Sequence, residues 1–234
     1  MTRIRVLAVA MILSVGGCES TAILEDILQS TENQGGLSSS TIARGMREAL
    51  SVGPGRVVDT LGTSGGIADS VFHIPLPDKL QDARDVAGRF GLQKPFDTLE
   101  AKMNEAAEAA IPQAGDLFIN AITAMSFEDV MSIYKGADDA ATQYLRRSTQ
   151  SQIATSMRPV IDQHLNSVGA VRTFSDLATR YNALPLVKPI DADLTGHVSG
   201  YAMDAIFTQL AAEEAAIRNE PLKRTTALLK RLFD

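Results

Sequence analysis

The chain of 234 residues has one cysteine, no tryptophan and only 5% aromatic residues. One thiol cannot make an internal disulfide or a cysteine-based zinc cluster. The scarcity of aromatics disfavours sugar-stacking clefts and aromatic-rich interfaces. Basic charge is also short, with 22 Lys and Arg against 28 Asp and Glu and a formal net charge of −6. Phosphate-binding surfaces are usually cationic, so a nucleic-acid partner is not expected. With 45% hydrophobic and 21% charged residues, the composition is that of a foldable globular chain, not of a disordered acidic tail.

The first residues read as an address. Arg3 and Arg5 form a positive start, and Val6–Val15 is an apolar run broken only by Ser14. The run is shorter than the ~20 residues a transmembrane helix needs and fits a signal peptide. Val15-Gly16-Gly17-Cys18 resembles the lipobox of bacterial lipoproteins, with the lone cysteine where that motif puts it. The resemblance implies cleavage before Cys18, acylation of that cysteine and anchoring to a bilayer. Glu19 follows, where an Asp often retains such proteins at the inner membrane; this favours the periplasmic face of the outer membrane. Removing residues 1–17 takes away Arg3 and Arg5 and no acid, leaving a mature charge of −8. Residues 18–37, rich in Ser, Gly, Asn and Gln towards their end, read as a flexible tether. Residues 38–234 read as one domain.

That domain reads as all-α, with about nine helices. Apolar residues at helical spacing predict a helix from Ile42 to Leu61, broken or kinked at Gly53-Pro54-Gly55. Ile74-Pro75-Leu76-Pro77 must be extended. Further helices are expected from Asp78, as its cap, to about Phe90; over Phe96–Ala110; from Pro112 to Met125; and from a capping box at Ser126 and Asp129 to Lys135. A long helix follows from Asp138 or Asp139 to about Gly169. Phe174–Leu184, Leu194–Asn219 and Leu222–Phe233 complete the set. No stretch alternates long enough to make a strand.

Several motifs recur in a familiar order: Leu61-Gly62, Ile74-Pro75-Leu76-Pro77, Met103-Asn104-Glu105-Ala106-Ala107-Glu108, and Gly136-Ala137-Asp138-Asp139-Ala140-Ala141-Thr142-Gln143-Tyr144. Asp193-Leu194, Ala202-Met203-Asp204 and Glu213-Glu214-Ala215-Ala216-Ile217-Arg218 follow. Together, over roughly residues 37–234, they resemble the bacterial domain-of-unknown-function family 4197. The resemblance implies an all-helical envelope protein, often with a lipoprotein signal, and no particular activity.

Candidate chemistry is sparse. Gly62-Thr63-Ser64-Gly65-Gly66 matches the G-x-S-x-G elbow of α/β-hydrolases, but that elbow needs a preceding strand; a glycine-rich helix stop explains it equally well. His73, His164 and His197 form no metal-binding spacing, so no metal and no cofactor is expected. Asp193 and His197 stand four apart, as one edge of a metal site, an acid–base pair or, more plainly, a helix-surface contact. Glu100, Asn104 and Glu108 form a ridge that reads as the solvated face of its helix. Asp138, Asp139, Thr142, Tyr144 and Arg146 lie around a helix start. They form either a polar-ligand site or a capped helix with paired charges. Lys223, Arg224, Lys230 and Arg231 among leucines describe a docked terminal helix more readily than a membrane-surface one.

These features point to a lipid-anchored, non-catalytic envelope module that binds or scaffolds another envelope protein. The alternative is a carrier of an apolar or amphipathic small ligand between helices; an enzyme ranks third.

Overall fold

The computed structural model describes residues 39–167, 169–183, 193–223 and 230. The expected signal peptide at 1–17, Cys18 and the tether at 18–37 lie outside the described residues, as does most of the helix expected over 222–233. Among the described residues there is no strand, and eight α-helices follow one another. They are α1 (Ser39–Leu61), α2 (Asp78–Gly88), α3 (Lys94–Ala110), α4 (Ala114–Thr123), α5 (Phe127–Tyr134), α6 (Ala140–Ser167), α7 (Ala170–Asn182) and α8 (Leu194–Asn219). Single 3₁₀ turns at Ile111–Gln113 and Pro221–Lys223 join or follow them. No described helix is long and apolar enough to cross a membrane.

The helices are those the apolar spacing predicts, with small differences at their ends. Pro54 lies inside α1 and Pro159 inside α6, and neither ends its helix. Each proline removes one backbone donor, but the buried face continues past it, with Leu50, Val57 and Leu61 on α1. Tertiary packing, which supplies most helical stability, outweighs the local loss. Pro77, not Asp78, is the N-cap of α2; Asp78 instead places its charge in the first turn. Pro112 sits in the 3₁₀ turn between α3 and α4. Ser126 and Asp129 make the full capping box of α5.

Helix α6 is the hub. It packs against α3, α4, α5, α7 and α8. Apart from Thr142, its buried side chains fall at every fourth residue: Ala141, Leu145, Thr149, Ile153, Met157, Ile161 and Leu165. Steps of four residues overshoot a 3.6-residue turn, so this stripe winds by about 240° from end to end. A winding stripe suits a helix with partners on several sides. Helix α8 supplies Val198, Ala202, Ile206, Phe207 and Leu210 to the same core. The rings of Phe118 on α4 and Phe207 meet edge to face at 5.8 Å between centroids.

Candidate functional site

Helix α3 carries the most organised polar feature of the molecule. The chain between α1 and α2, residues 62–77, is neither helix nor strand, so its backbone groups need other partners. The ridge of α3 provides them. Fully buried Asn104 accepts from Ile74 N–H at 2.9 Å and donates to Ile74 C=O at 2.9 Å. Its second amide hydrogen goes to Glu100 C=O at 2.8 Å. Glu108, 6% exposed, accepts from Ile67 N–H at 3.1 Å and Ala68 N–H at 3.0 Å through Oε1. Glu100 Oε1 lies 2.7 Å from His73 Nε2, and its Oε2 lies 3.4 Å from Arg84 of α2. Arg84 also meets Asp97 at 2.7 Å. The expectation of a solvated face is therefore overturned: the ridge at spacing i, i+4, i+8 clamps a strap of irregular chain over α3. The Glu100 carboxylate and, to a lesser degree, the Ala68 carbonyl hold the His73 imidazole above its ordinary pKa, against the effects of burial and Arg84.

The glycines of Gly62–Gly66 belong to this strap. A Cβ on Gly66 would lie 2.3 Å from Thr60 O and 2.8 Å from Leu61 O, so the close turn back onto α1 excludes a side chain. Ser64 is exposed, and the segment before it is helix, so the hydrolase elbow is not formed. Asp193 and His197 do not pair with one another either. Asp193 caps α8 by accepting from Gly196 N–H at 2.8 Å and meets Arg158 at 3.2 Å. The bond from Gly196, with help from Arg158, holds its carboxyl below the usual range. His197 Nε2 instead bonds Pro75 C=O at 2.8 Å, a tie on the strap from α8. His164 stands 3.8 Å from Glu105. Among the described residues no three His, Cys, Asp or Glu converge as a metal site.

The five residues proposed around the start of α6 do not face a common point. Thr142 is buried, and its N–H and hydroxyl donate to Glu214 Oε2 at 2.8 and 2.9 Å. Ala141 N–H donates to Glu214 Oε1 at 3.0 Å. Asp138 accepts from Asn219, and Asp139 from Gln143. The Arg146 guanidinium lies 4.5 Å over the Phe207 ring and 3.8 Å from Asp204. Tyr144 is half-buried, and burial raises its phenol, as does Asp129. Glu214 and Arg218, which the sequence places in a family motif but not among the candidate site residues, are the organising pair here. They meet at 2.9 Å with about a tenth of each side chain exposed, and Arg218 also donates to Ile133 C=O at 2.9 Å. An acid and an arginine four apart in an otherwise apolar run was the signal. The donors that a ligand would use at this helix start are thus taken by a carboxylate of the chain itself. A hollow of about 30 Å³ lies alongside, lined by Met46, Leu50, Leu145, Leu210 and Glu214 among others.

One further surface feature stands out. Every residue from Gly88 to Pro95, from the end of α2 to the start of α3, is exposed. Phe90 keeps 74% of its surface and Leu92 63%, and Gly91 between them has φ +71°.

The chain belongs to the family described as Protein of unknown function (DUF4197), which it matches over residues 36–234. No curated protein and no solved structure is similar enough to match.

Proposed function

We propose that the chain is a lipid-anchored, non-catalytic binding or scaffolding module of the bacterial envelope, held at the periplasmic face of the outer membrane by an acylated Cys18. The supporting observation is where the polar side chains go. Glu100, Asn104, Glu108, Thr142, His197 and Glu214, the groups a reaction or a carried ligand would call on, are each bonded to the chain itself. The hollow beside α6, at about 30 Å³, has room for a water or two, whereas small-molecule pockets run to ~300–1,000 Å³. Two larger hollows, about 430 Å³ beside Arg47 and Ile122 and about 620 Å³ beside Arg84 and Arg89, are open to solvent and belong to the outer surface, which is where a binding role finds its support. There Ile119, Phe127, Val171 and Tyr201 keep 40–44% of their area, available for contact with another envelope protein.

Two measurements test the reading. Labelling with a fatty-acid analogue is expected to modify the wild-type chain and to fail with Cys18→Ala, which should leave the membrane fraction. Photo-crosslinkers placed at Phe127 and Tyr201 in living cells are expected to give discrete protein adducts. Unmodified Cys18 would remove the anchor, and crosslinking to no protein from either position would remove the scaffold.

A further inference from the structure

We infer that the tip between α2 and α3, Gly88–Pro95, is a lipid-contacting element that sets Phe90 and Leu92 into the surface of an anionic bilayer. This goes beyond the anchored-module reading and does not depend on Cys18. The tip exposes eight consecutive residues, the last of α2, a five-residue turn and the first two of α3. Its two large apolar side chains are 74% and 63% exposed, and Val86, one turn before Phe90, is 54% exposed. Large apolar side chains gain by leaving water for an apolar medium.

Charge selects the occupant. Between Gly88 and Pro95 the only ionisable residues are Arg89 and Lys94, whereas the whole chain is acidic, at −6. The tip is therefore a local inversion of charge with an apolar point. Cationic stems that keep their heads at a headgroup layer while neighbouring apolar groups go deeper are the usual arrangement at a lipid surface. Basic residues near an anionic leaflet are drawn to it. A protein partner fits less well: Phe90 and Leu92 offer roughly 250 Å² of apolar area, against about 800 Å² per side in a stable protein interface. The base of the tip is braced, because Arg84 on α2 meets both Asp97 and Glu100 on α3. A braced base lets a short tip enter a headgroup layer without unfolding the helices behind it.

The chain has no tryptophan, so Phe90→Trp creates a single reporter, and Tyr201→Trp on α8 is the control. The full chain carrying either change is combined with vesicles of phosphatidylcholine and phosphatidylglycerol, with and without brominated acyl chains, and with phosphatidylcholine alone. Circular dichroism checks that each variant keeps its helices. The expected result is a blue shift at position 90 in anionic vesicles, with quenching by brominated lipid several-fold stronger than at position 201. Arg89→Gln with Lys94→Gln should abolish the preference for anionic vesicles. The inference is overturned if emission at position 90 is the same with and without vesicles, if positions 90 and 201 quench alike, or if position 90 shifts only when lipid-free envelope proteins are added. None of these outcomes bears on acylation of Cys18, which the labelling experiment reads separately.

Discussion

The side chain of Asn104 completes the backbone of Ile74, accepting from its N–H and donating to its C=O at 2.9 Å each. The amide thus acts as the neighbouring strand that Ile74 lacks. Asn104→Ala leaves both backbone groups of a buried residue without a partner, an expected loss of about 2–4 kcal/mol. Asn104→Asp keeps the shape but cannot donate to the Ile74 carbonyl, and should be nearly as costly. Urea unfolding of the variants measures this; a loss below about 1 kcal/mol would mean that the strap finds other partners.

Glu108 separates charge from hydrogen bonding. Its Oε1 accepts from Ile67 and Ala68 N–H. Glu108→Gln keeps an acceptor oxygen and should destabilise by about 1 kcal/mol. Glu108→Ala strands both amides and should cost about twice as much or more. Amide exchange at Ile67 and Ala68 should quicken in the alanine variant first.

Thr142, Glu214 and Arg218 should behave as one unit. Glu214→Ala leaves Arg218 almost buried without its carboxylate and strips the start of α6, with an expected loss of about 3 kcal/mol or more. Thr142→Val removes one hydroxyl bond at similar volume and should cost about 1 kcal/mol. In a double-mutant cycle the two losses should fall short of additive, since both act on the same carboxylate.

Acidity should act on two different ties in opposite directions. Both ring nitrogens of His73 face acceptors, Ala68 C=O at 3.0 Å and Glu100 Oε1 at 2.7 Å, so only the imidazolium satisfies both. Its pKa is raised from 6.5, so its contribution is complete below that value and is lost as pH rises through the folded-state value above it. Asp193 is lowered from 3.8, so its contribution is present above that value and is lost as pH falls through the lower folded-state value. Proton NMR titration should return His73 to ordinary values in Glu100→Gln. Amide exchange over residues 68–73, corrected for its intrinsic rate, should then lose its dependence on pH near neutrality. Both side chains are well exposed, so the effect on global stability is small.

Two glycine substitutions should part company. Gly66→Ala drives a methyl against Thr60 O, 2.3 Å away, and should destabilise by about 2 kcal/mol or more. Gly91→Ala meets no atom within 4 Å but keeps a backbone φ of +71°, a penalty of about 1 kcal/mol. Thermal melts of the two variants rank them.

The helices were legible because each buries a face whose apolar residues recur at helical spacing, as in Leu99, Met103, Ala106 and Ala110. The capping box at Ser126 was legible because all its atoms lie within four residues. The strap was half legible: Pro75 and Pro77 announced extended chain, but nothing local showed what it lies on. A polar ridge looks the same on a helical wheel whether it faces water or the backbone of residues 30–41 positions away. The start of α6 misled for the same reason, since the acid that fills it comes from Glu214, 72 residues on.

The clamp also makes α3 a ruler. Glu100, Asn104 and Glu108 each hold a different part of the strap, and they do so only while they share one side of the helix. Inserting or deleting a single residue between them would rotate the later members by about 100° and release their grips together. Length is therefore fixed within α3.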